Sequence, residues 1–312
     1  MTTASMVGSP QHQSLIQGIL KWADGQGMSE SALPGLQLYR ADEPTATCSS
    51  TVYDPSIAFL IQGGKTVQLG DREIVYDELT YLTTSVSLPV LGHVVEASPD
   101  RPYLAMKLVF SPQEIADLVL QAQLVDVPEC DEASMCNCGL QVAHLEPDLL
   151  DALARLLGLL DRPQDIAVLG PLFRREVLYR VLMGELGLRM RKFAMVDHQA
   201  SRVSRVIAIL KDRFTEPLRV KELADAVNMS ESALFRSFKD VTRMSPLQFQ
   251  KRLRLYEARR LMLGEGLEAA TASFRVGYES PSHFSREYSR LFGASPRSDV
   301  LRQRAEQLKS LG

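Results

Sequence analysis

The sequence predicts an α+β protein of two domains, a β-rich N-terminal domain with some helices and an all-helical C-terminal domain. Short apolar runs separated by turns fill residues 36–110, and helical periodicity replaces them from there to the end. A length of 312 residues allows two domains that each bury a core. The hydrophobic fraction of 45% and the charged fraction of 23% are typical of a globular protein.

Charge is divided unevenly between the two parts. Residues 200–312 contain 21 Lys and Arg against 13 Asp and Glu, a balance of +8, and residues 1–199 contain 14 against 25, a balance of −11. The two balances add up to the net charge of −3. This split favours contact between the C-terminal part and a polyanion, although chance asymmetry between two domains would also produce it.

The N-terminal strands are short and spaced almost regularly. Gly63-Gly64, Gly70-Asp71 and the segment 98–102 mark turns between them. This spacing predicts a sandwich or a small barrel. The predicted strands are residues 57–61, 65–69, 74–76, 81–84, 91–95 and 103–110.

Helical patterns flank these strands, with an irregular segment at 127–144. We expect a linker at 189–197, so that the domains comprise residues 1–197 and 198–312. The helices predicted in the first domain are residues 13–25, 113–121, 147–160 and 170–188.

The C-terminal region contains one helical pattern twice. In each copy a short helix and a tight turn precede a second, basic helix, which Ser230 caps in the first copy and Ser280 in the second. This is the helix-turn-helix pattern. The predicted helices are residues 201–214, 220–227, 231–241, 247–263, 267–274 and 282–292.

The helix between the two copies is long enough to place them in two neighbouring grooves of DNA. At a rise of 1.5 Å per residue, helix 247–263 would be roughly 25 Å long. Such a spacer can hold two recognition helices about one turn of B-DNA apart, roughly 34 Å, in successive major grooves. Two copies joined in this way predict DNA binding much more specifically than a single copy does.

Several runs in these copies resemble the two helix-turn-helix units of the AraC/XylS family of regulators. They are Leu223-Ala224, residues 229–239 with Ser245-Pro246, Val276-Gly277-Tyr278, residues 283–286 and residues 292–296. The resemblance covers about residues 201–300. Where the family has an aromatic–Arg pair after the last proline, this chain has Arg297-Ser298-Asp299, a departure that concerns the packing of the end.

The resemblance implies which side chains face DNA. Arg can bridge guanine O6 and N7, Ser can pair in either direction, and Phe can contact a thymine methyl group. Phe235 could instead pack into the core. The implied base-reading residues are Ser232, Phe235, Arg236, Ser282, His283 and Arg286. The candidate phosphate contacts, which set affinity and salt dependence, are Lys239, Lys251, Arg252 and Arg290.

The N-terminal part resembles the N-terminal domain of one AraC-type subgroup over about residues 35–197. The resemblance rests on residues 52–57, 61–65, 88–90, 95–98 and 102–104. It implies a cupin-like double-stranded β-helix followed by helices, which in relatives senses a ligand and forms dimers. The implied partners are double-stranded promoter DNA, RNA polymerase, a small-molecule effector and a second copy of the chain. A separate hypothesis is a protein-interaction module in which the helix at 173–188 is the dimer contact.

An enzyme is the alternative function. A metal-dependent cupin enzyme needs clustered His and Glu on facing strands, whereas His93 is the single histidine of the strand region. An alkylation-repair methyltransferase fused to the same DNA module would carry an acceptor cysteine in a Pro-Cys-His-Arg run, which the sequence lacks. We therefore expect a DNA-binding transcriptional regulator that acts as an activator, without catalytic residues, metal or cofactor.

Three cysteines and a histidine lie close together in the irregular segment. Cys130, Cys136, Cys138 and His144 have the spacing C-x5-C-x-C-x5-H. Three interpretations stay open, namely no special role, a thiol sensor of oxidants or electrophiles, and an unusual zinc site. The acidic neighbours at 129, 131 and 132 would raise thiol pKa values and weigh against high reactivity.

The sequence also predicts the cellular compartment of the protein. Residues 1–30 contain no signal-peptide pattern, and Asp151 and Arg155 interrupt the apolar stretch 149–160. Four cysteines do not form a disulfide framework in a chain of this size. We expect a cytoplasmic, nucleoid-associated protein with no membrane partner.

Overall fold

The computed structural model describes residues 6–45, 49–124, 138–194 and 199–309. In these residues ten strands form two antiparallel sheets, here called the β-domain. The six-stranded sheet has the order β1-β2-β9-β4-β7-β10, and the four-stranded sheet has the order β3-β8-β5-β6. The strands are β1 Gly27–Glu30, β2 Leu36–Ala41, β3 Ser49–Tyr53, β4 Ser56–Gln62, β5 Gly64–Leu69, β6 Arg72–Tyr76, β7 Thr80–Thr84, β8 Leu88–Glu96, β9 Tyr103–Val109 and β10 Leu140–His144.

Alternation along the strands gives the larger sheet two apolar faces. One cross-strand row consists of Leu38, Met106, Phe59 and Tyr81, and it packs against helices. The neighbouring residues on the same strands, such as Ala105, belong to the core that lies toward the other sheet. The six predicted strands are confirmed, as is the expected sandwich or barrel class.

Five α-helices within the described ranges surround the β-domain. Helix α1 lies against the larger sheet, and its Leu15 and Ile19 are fully buried. The segment before residue 34 is thus tied to the core through its helix. The helices are α1 Pro10–Trp22, α2 Pro112–Gln121, α3 Pro147–Gly158, α4 Ile166–Met183 and α5 Gly187–Ala194.

The predicted helix 170–188 and linker 189–197 are wrong in detail. Helix α4 ends at Met183, and α5 occupies most of the expected linker. Met190 and Phe193 of α5 are buried, because this short helix packs against α2. Residues 195–198, and with them the expected domain boundary after residue 197, lie outside the described residues.

The C-terminal part is entirely helical in its described residues, 199–309. All six helices predicted there are present, with ends shifted by a few residues, so the two-domain α+β fold class is confirmed. No helix of the described ranges is long and apolar enough to cross a membrane. The helices are α6 Gln199–Asp212, α7 Val220–Ala226, α8 Glu231–Thr242, α9 Pro246–Gly264, α10 Ala269–Arg275, α11 Pro281–Phe292 and α12 Pro296–Lys309.

The first helical unit shares a hydrophobic core with the β-domain. The Gly139 backbone N–H donates a 2.9 Å hydrogen bond to the carbonyl oxygen of Val241, at the end of α8. Lys211 Nζ of α6 lies 2.6 Å from an Asp54 carboxylate oxygen and 3.1 Å from the Ser87 hydroxyl. Burial alone would raise the pKa of Asp54, but the hydrogen bonds from Lys211 and Ser87 outweigh it and lower that pKa.

Candidate nucleic-acid interface

The two recognition helices, α8 and α11, begin and end in the same way. The Ser230 hydroxyl accepts the Ala233 backbone N–H at 3.2 Å, and the Ser280 hydroxyl accepts the His283 backbone N–H at 3.4 Å. Each helix is followed by a C-cap residue with left-handed backbone, Arg243 after α8 and Gly293 after α11. The predicted N-caps are therefore confirmed in both copies.

The turn before the second recognition helix depends on Gly277. Its φ is +88°, in the region that favours glycine. A Cβ atom at this position would lie 2.3 Å from the backbone oxygen of Thr215, in the segment that follows α6. Glycine therefore lets this turn approach the first unit closely.

The first recognition helix buries one face and exposes the other. Leu234 and Phe238 have no exposed surface, while the predicted DNA-facing side chains Ser232, Phe235, Arg236 and Lys239 are exposed. The alternative that Phe235 packs into the core is wrong, because 47% of it is exposed. A large aromatic side chain thus lies beside Arg236 on an open surface.

The second recognition helix repeats this division. Phe284 and Tyr288 are fully buried, and the predicted contacts Ser282, His283, Arg286 and Arg290 are exposed. Neither Arg236 nor Arg286 has an ion pair or a side-chain hydrogen bond within the part of the chain that the structure describes. Both guanidinium groups are thus available to an external partner.

Lys251 of the spacer helix α9 lies in a polar cluster around Glu287 of α11. Its Nζ is 2.5 Å from the carboxylate, to which the Tyr278 hydroxyl donates at 3.0 Å, and His283 Nε2 lies 3.5 Å away. Burial would raise the pKa of Glu287, but the Lys251 and Tyr278 hydrogen bonds outweigh it and lower that pKa. Lys251 thus links the spacer to the second recognition helix, besides being a candidate phosphate contact.

Arg252, the other spacer candidate, is half-buried. Its Nη1 has no hydrogen-bond partner among the described residues. A buried donor without a partner costs free energy.

Arg254 joins the two units and was not singled out by the sequence. Its guanidinium donates to the backbone oxygens of Phe214 at 2.6 Å, Glu216 at 2.9 Å and Thr215 at 3.1 Å, all beyond the end of α6. It also donates to the Gly277 oxygen at 2.9 Å, in the turn of the second unit. Burial lowers the pKa of Arg254, with a smaller opposing effect of Tyr278.

A buried ion pair fixes the last helix to the second unit. Arg259 and Asp299 make two hydrogen bonds of 2.7 and 2.8 Å, and the Tyr288 hydroxyl donates to the same carboxylate at 2.7 Å. Asp299 is fully buried. Burial and the adjacent carboxylate raise the pKa of Tyr288 far above its ordinary range, so that its hydroxyl remains a donor. The departure from the family pattern at 297–299 thus contains a structural anchor.

The cysteine segment is described only in part. Cys130 and Cys136 lie outside the described residues, and Cys138 is 1% exposed. Such burial leaves little room for attack at Cys138 from solvent, although its role as a thiol sensor stays untested. Among the described residues no group of three or more His, Cys, Asp or Glu could hold a metal ion.

A β-domain beside two helix-turn-helix units, joined by a spacer helix, defines a class of transcriptional regulators. The chain belongs to the AraC-type transcriptional regulators, since the family model of their N-terminus matches residues 32–189, half of the chain. A helix-turn-helix family model matches residues 223–302. The family resemblance seen in the sequence is therefore confirmed in both parts.

Curated relatives match over part of their length. The HTH-type transcriptional activator RhaS of Escherichia coli O1:K1 / APEC is 28% identical over 152 residues, which are 48% of this chain and 53% of RhaS. RhaS of Escherichia coli O9:H4 (strain HS) is 31% identical over 126 residues, 39% of this chain and 44% of that protein. The chain thus spans about half the length of these relatives.

Solved structures of ToxT from Vibrio cholerae share the fold. ToxT from O395 bound to (E)-4-(8-methylnaphthalen-1-yl)but-3-enoic acid has a TM-score of 0.56 and 12% identity, covering 85% of this chain and 97% of that one. Wild-type ToxT from strain SCE256 bound to an unsaturated fatty acid has a TM-score of 0.52 and 11% identity, covering 85% and 94%. At these identities the likeness concerns the fold alone.

Proposed function

We propose that the chain is a sequence-specific DNA-binding transcriptional activator whose helices α8 and α11 enter two successive major grooves. The observation that carries the proposal is the pair of matching recognition faces, each with an arginine that has no ion pair among the described residues. The 19 residues of α9 correspond to roughly 28 Å, close to one turn of B-DNA. Activation, through contact with RNA polymerase, is inferred from the activator relatives.

The proposed readers divide into two kinds. Arg236 and Arg286 would each bridge a guanine, Phe235 would contact a thymine methyl group, and the polar Ser232, Ser282 and His283 would complete base recognition. Lys239 and Arg290 would contact phosphates together with the spacer residues Lys251 and Arg252. The domain division at residue 197 and action in the cytoplasm on chromosomal DNA belong to the same proposal.

A footprint and a salt titration test this proposal. The full chain, incubated with the promoter region of its own gene, is expected to protect two segments about 10 base pairs apart. Log affinity should fall linearly with log salt, and Lys239→Ala with Arg290→Ala should reduce that slope by about 2, roughly 1 per phosphate contact. Equal affinity for promoter and unrelated DNA at all salt concentrations would contradict sequence-specific binding.

The β-domain is proposed to be a cupin-like effector-binding module. The carboxylic acids named in the ToxT structures support ligand binding by this fold. A route to the DNA-binding part is present, because Asp54 pairs with Lys211 and the end of α8 contacts Gly139. An effector that changes the β-domain would thereby alter the position of the first recognition helix.

A second copy of the chain is the proposed partner of α4. This helix carries four exposed apolar side chains. The exposed fractions are 69% for Val168, 57% for Leu172, 37% for Tyr179 and 54% for Met183. At 100° per residue they lie within about 60° of one another around the helix. Such an exposed apolar stripe marks an interaction surface, and a matching copy would bury it in an isologous dimer.

Charge on this stripe is expected to separate the dimer. Leu172→Glu with Met183→Glu places two carboxylates where apolar side chains would meet, so the chain should sediment as a monomer at micromolar concentration. Leu120→Glu, at a 64% exposed site on α2, is the matched control and should leave the dimer intact. A wild-type monomer, or a variant that still dimerises, would show that α4 is not the contact.

A further inference from the structure

Two lysines and four tyrosines cluster between the two sheets of the β-domain. Lys65 belongs to β5 of the smaller sheet and Lys107 to β9 of the larger one. Alternate residues of a strand point to the same face of the sheet. Lys65 therefore lies on the same face as Val67, and Lys107 on the same face as Ala105. Val67 and Ala105 belong to the core between the sheets. The tyrosines are Tyr39, Tyr53, Tyr76 and Tyr103.

The aromatic rings surround the ammonium groups at short distances. Lys65 Nζ lies 5.1 Å from the ring centroid of Tyr39 and 5.8 Å from those of Tyr53 and Tyr103. Lys107 Nζ lies 5.8 Å from the same Tyr53 ring. The two positive charges thus approach one aromatic ring from different sheets.

The cluster has a buried base and an accessible side. Tyr76 and Tyr103 are 3% and 2% exposed, whereas Tyr53 and both lysines keep part of their surface in contact with solvent. A Cβ atom at Gly92 would lie 3.2 Å from the Tyr53 hydroxyl and 3.5 Å from Lys65 Cε. Glycine at this strand position therefore lets Tyr53 and Lys65 pack closely over the strand.

Positive charge in this cluster lacks a matching carboxylate. Neither ammonium has an ion pair to a carboxylate in the described ranges. The charge of Lys107 acts on the Asp54 carboxylate, but the hydrogen bonds of that carboxylate are to Lys211 and Ser87. Two ammonium groups without a bound anion are costly in a partly desolvated site.

The protonation states strengthen this imbalance. Burial lowers the pKa of Lys65, but the four tyrosines outweigh it and raise that pKa well above its ordinary value. Burial raises the pKa of Tyr103 to about 12, against a smaller lowering by Lys65. At neutral pH Lys65 is therefore a cation and Tyr103 a neutral phenol, which can donate a hydrogen bond to an anion.

We propose that this Lys65–Lys107 cluster binds the effector, and that the effector is a small organic carboxylate with its apolar part against the tyrosine rings. This inference rests on the proposed effector control of the β-domain. The position of the cluster allows ligand binding to affect the DNA-binding part. Tyr53 directly precedes Asp54, which pairs with Lys211 of that part. Ligand contact at Tyr53 is thus one residue away from a link between the two parts.

Thermal melting of the full chain without DNA tests the ligand class. Benzoate and hexanoate are the carboxylate probes, benzamide and hexanamide their neutral counterparts, and inorganic phosphate a different anion. A carboxylate is expected to raise the melting temperature by several degrees in a saturable manner, because it binds only the folded state. The matching amide and phosphate should leave the melting temperature unchanged.

Single substitutions assign the binding to the two lysines. Lys65→Met and Lys107→Met keep an unbranched side chain without charge, and each should weaken carboxylate binding at least tenfold in calorimetric titration. Lys21→Met, at an exposed site on α1, is the matched control and should bind as the wild type does. If Lys65→Met does not fold, Lys107→Met provides the same test.

Three results would overturn the inference. They are the absence of a saturable shift with either carboxylate, equal shifts with carboxylate and amide or with phosphate, and undiminished binding in both lysine variants. DNA binding of the ligand-free chain is measured separately on the promoter fragment. Failure of that binding contradicts the proposed function, whereas failure of carboxylate binding alone contradicts the ligand class.

Discussion

The double variant Arg236→Ala, Arg286→Ala is expected to lose sequence-specific DNA binding. Each arginine that bridges a guanine contributes about 1–3 kcal/mol of discrimination, so two should contribute about 2–6 kcal/mol, or roughly 30-fold to 10⁴-fold in affinity. The losses should add, because the residues belong to separate units and contact separate bases. Fluorescence anisotropy with promoter and scrambled duplexes at one salt concentration measures the change.

A second double variant controls for the loss of two positive charges. Arg260 and Arg275 are both 60% exposed and both pair with Glu265, outside the recognition helices. Arg260→Ala with Arg275→Ala should weaken binding to both duplexes only slightly, through the electrostatic contribution that is independent of sequence. If the Arg236 and Arg286 variant keeps the wild-type ratio of specific to non-specific affinity, these arginines do not read bases.

The helical units could be predicted from sequence because their signals are local. Ser230 and Ser280 cap helices through hydrogen bonds to backbone groups three residues away, and apolar residues repeat within each helix. The strands were found by similar means, from turns and short apolar runs. The linker predicted at 189–197 overlaps the helix Gly187–Ala194, because Met190 and Phe193 are buried against a helix that is distant in sequence.

The contacts that the sequence does not predict join residues that are distant in sequence. Arg254 is one of several basic residues in α9, and nothing near it shows that its acceptors are backbone oxygens of two other segments. Lys65 and Lys107 meet only because two sheets pack face to face. Exposure of the predicted base readers, by contrast, followed from helical periodicity, and only Phe235 left two alternatives open.

Asp299→Ala is expected to destabilise the second helix-turn-helix unit strongly. The substitution leaves the Arg259 charge buried without its carboxylate, which typically costs about 3–5 kcal/mol. The Tyr288 hydroxyl loses its acceptor as well. Urea unfolding followed by circular dichroism should show an earlier transition for the helical part, and promoter affinity should fall because α11 is no longer held in place.

Replacing both partners separates the cost of an unpaired charge from the value of the ion pair. Arg259→Met with Asp299→Leu removes both charges and keeps apolar volume, so it should recover most of the lost stability. Asp240→Ala, at an exposed site on α8, is the matched acidic control and should change the free energy of unfolding by less than about 0.5 kcal/mol. An Asp299→Ala transition that coincides with the control would mean that the buried carboxylate does not anchor α12. Recovery of promoter affinity in the double variant would further show that the anchor acts by positioning α11, because neither Arg259 nor Asp299 is exposed to contact DNA.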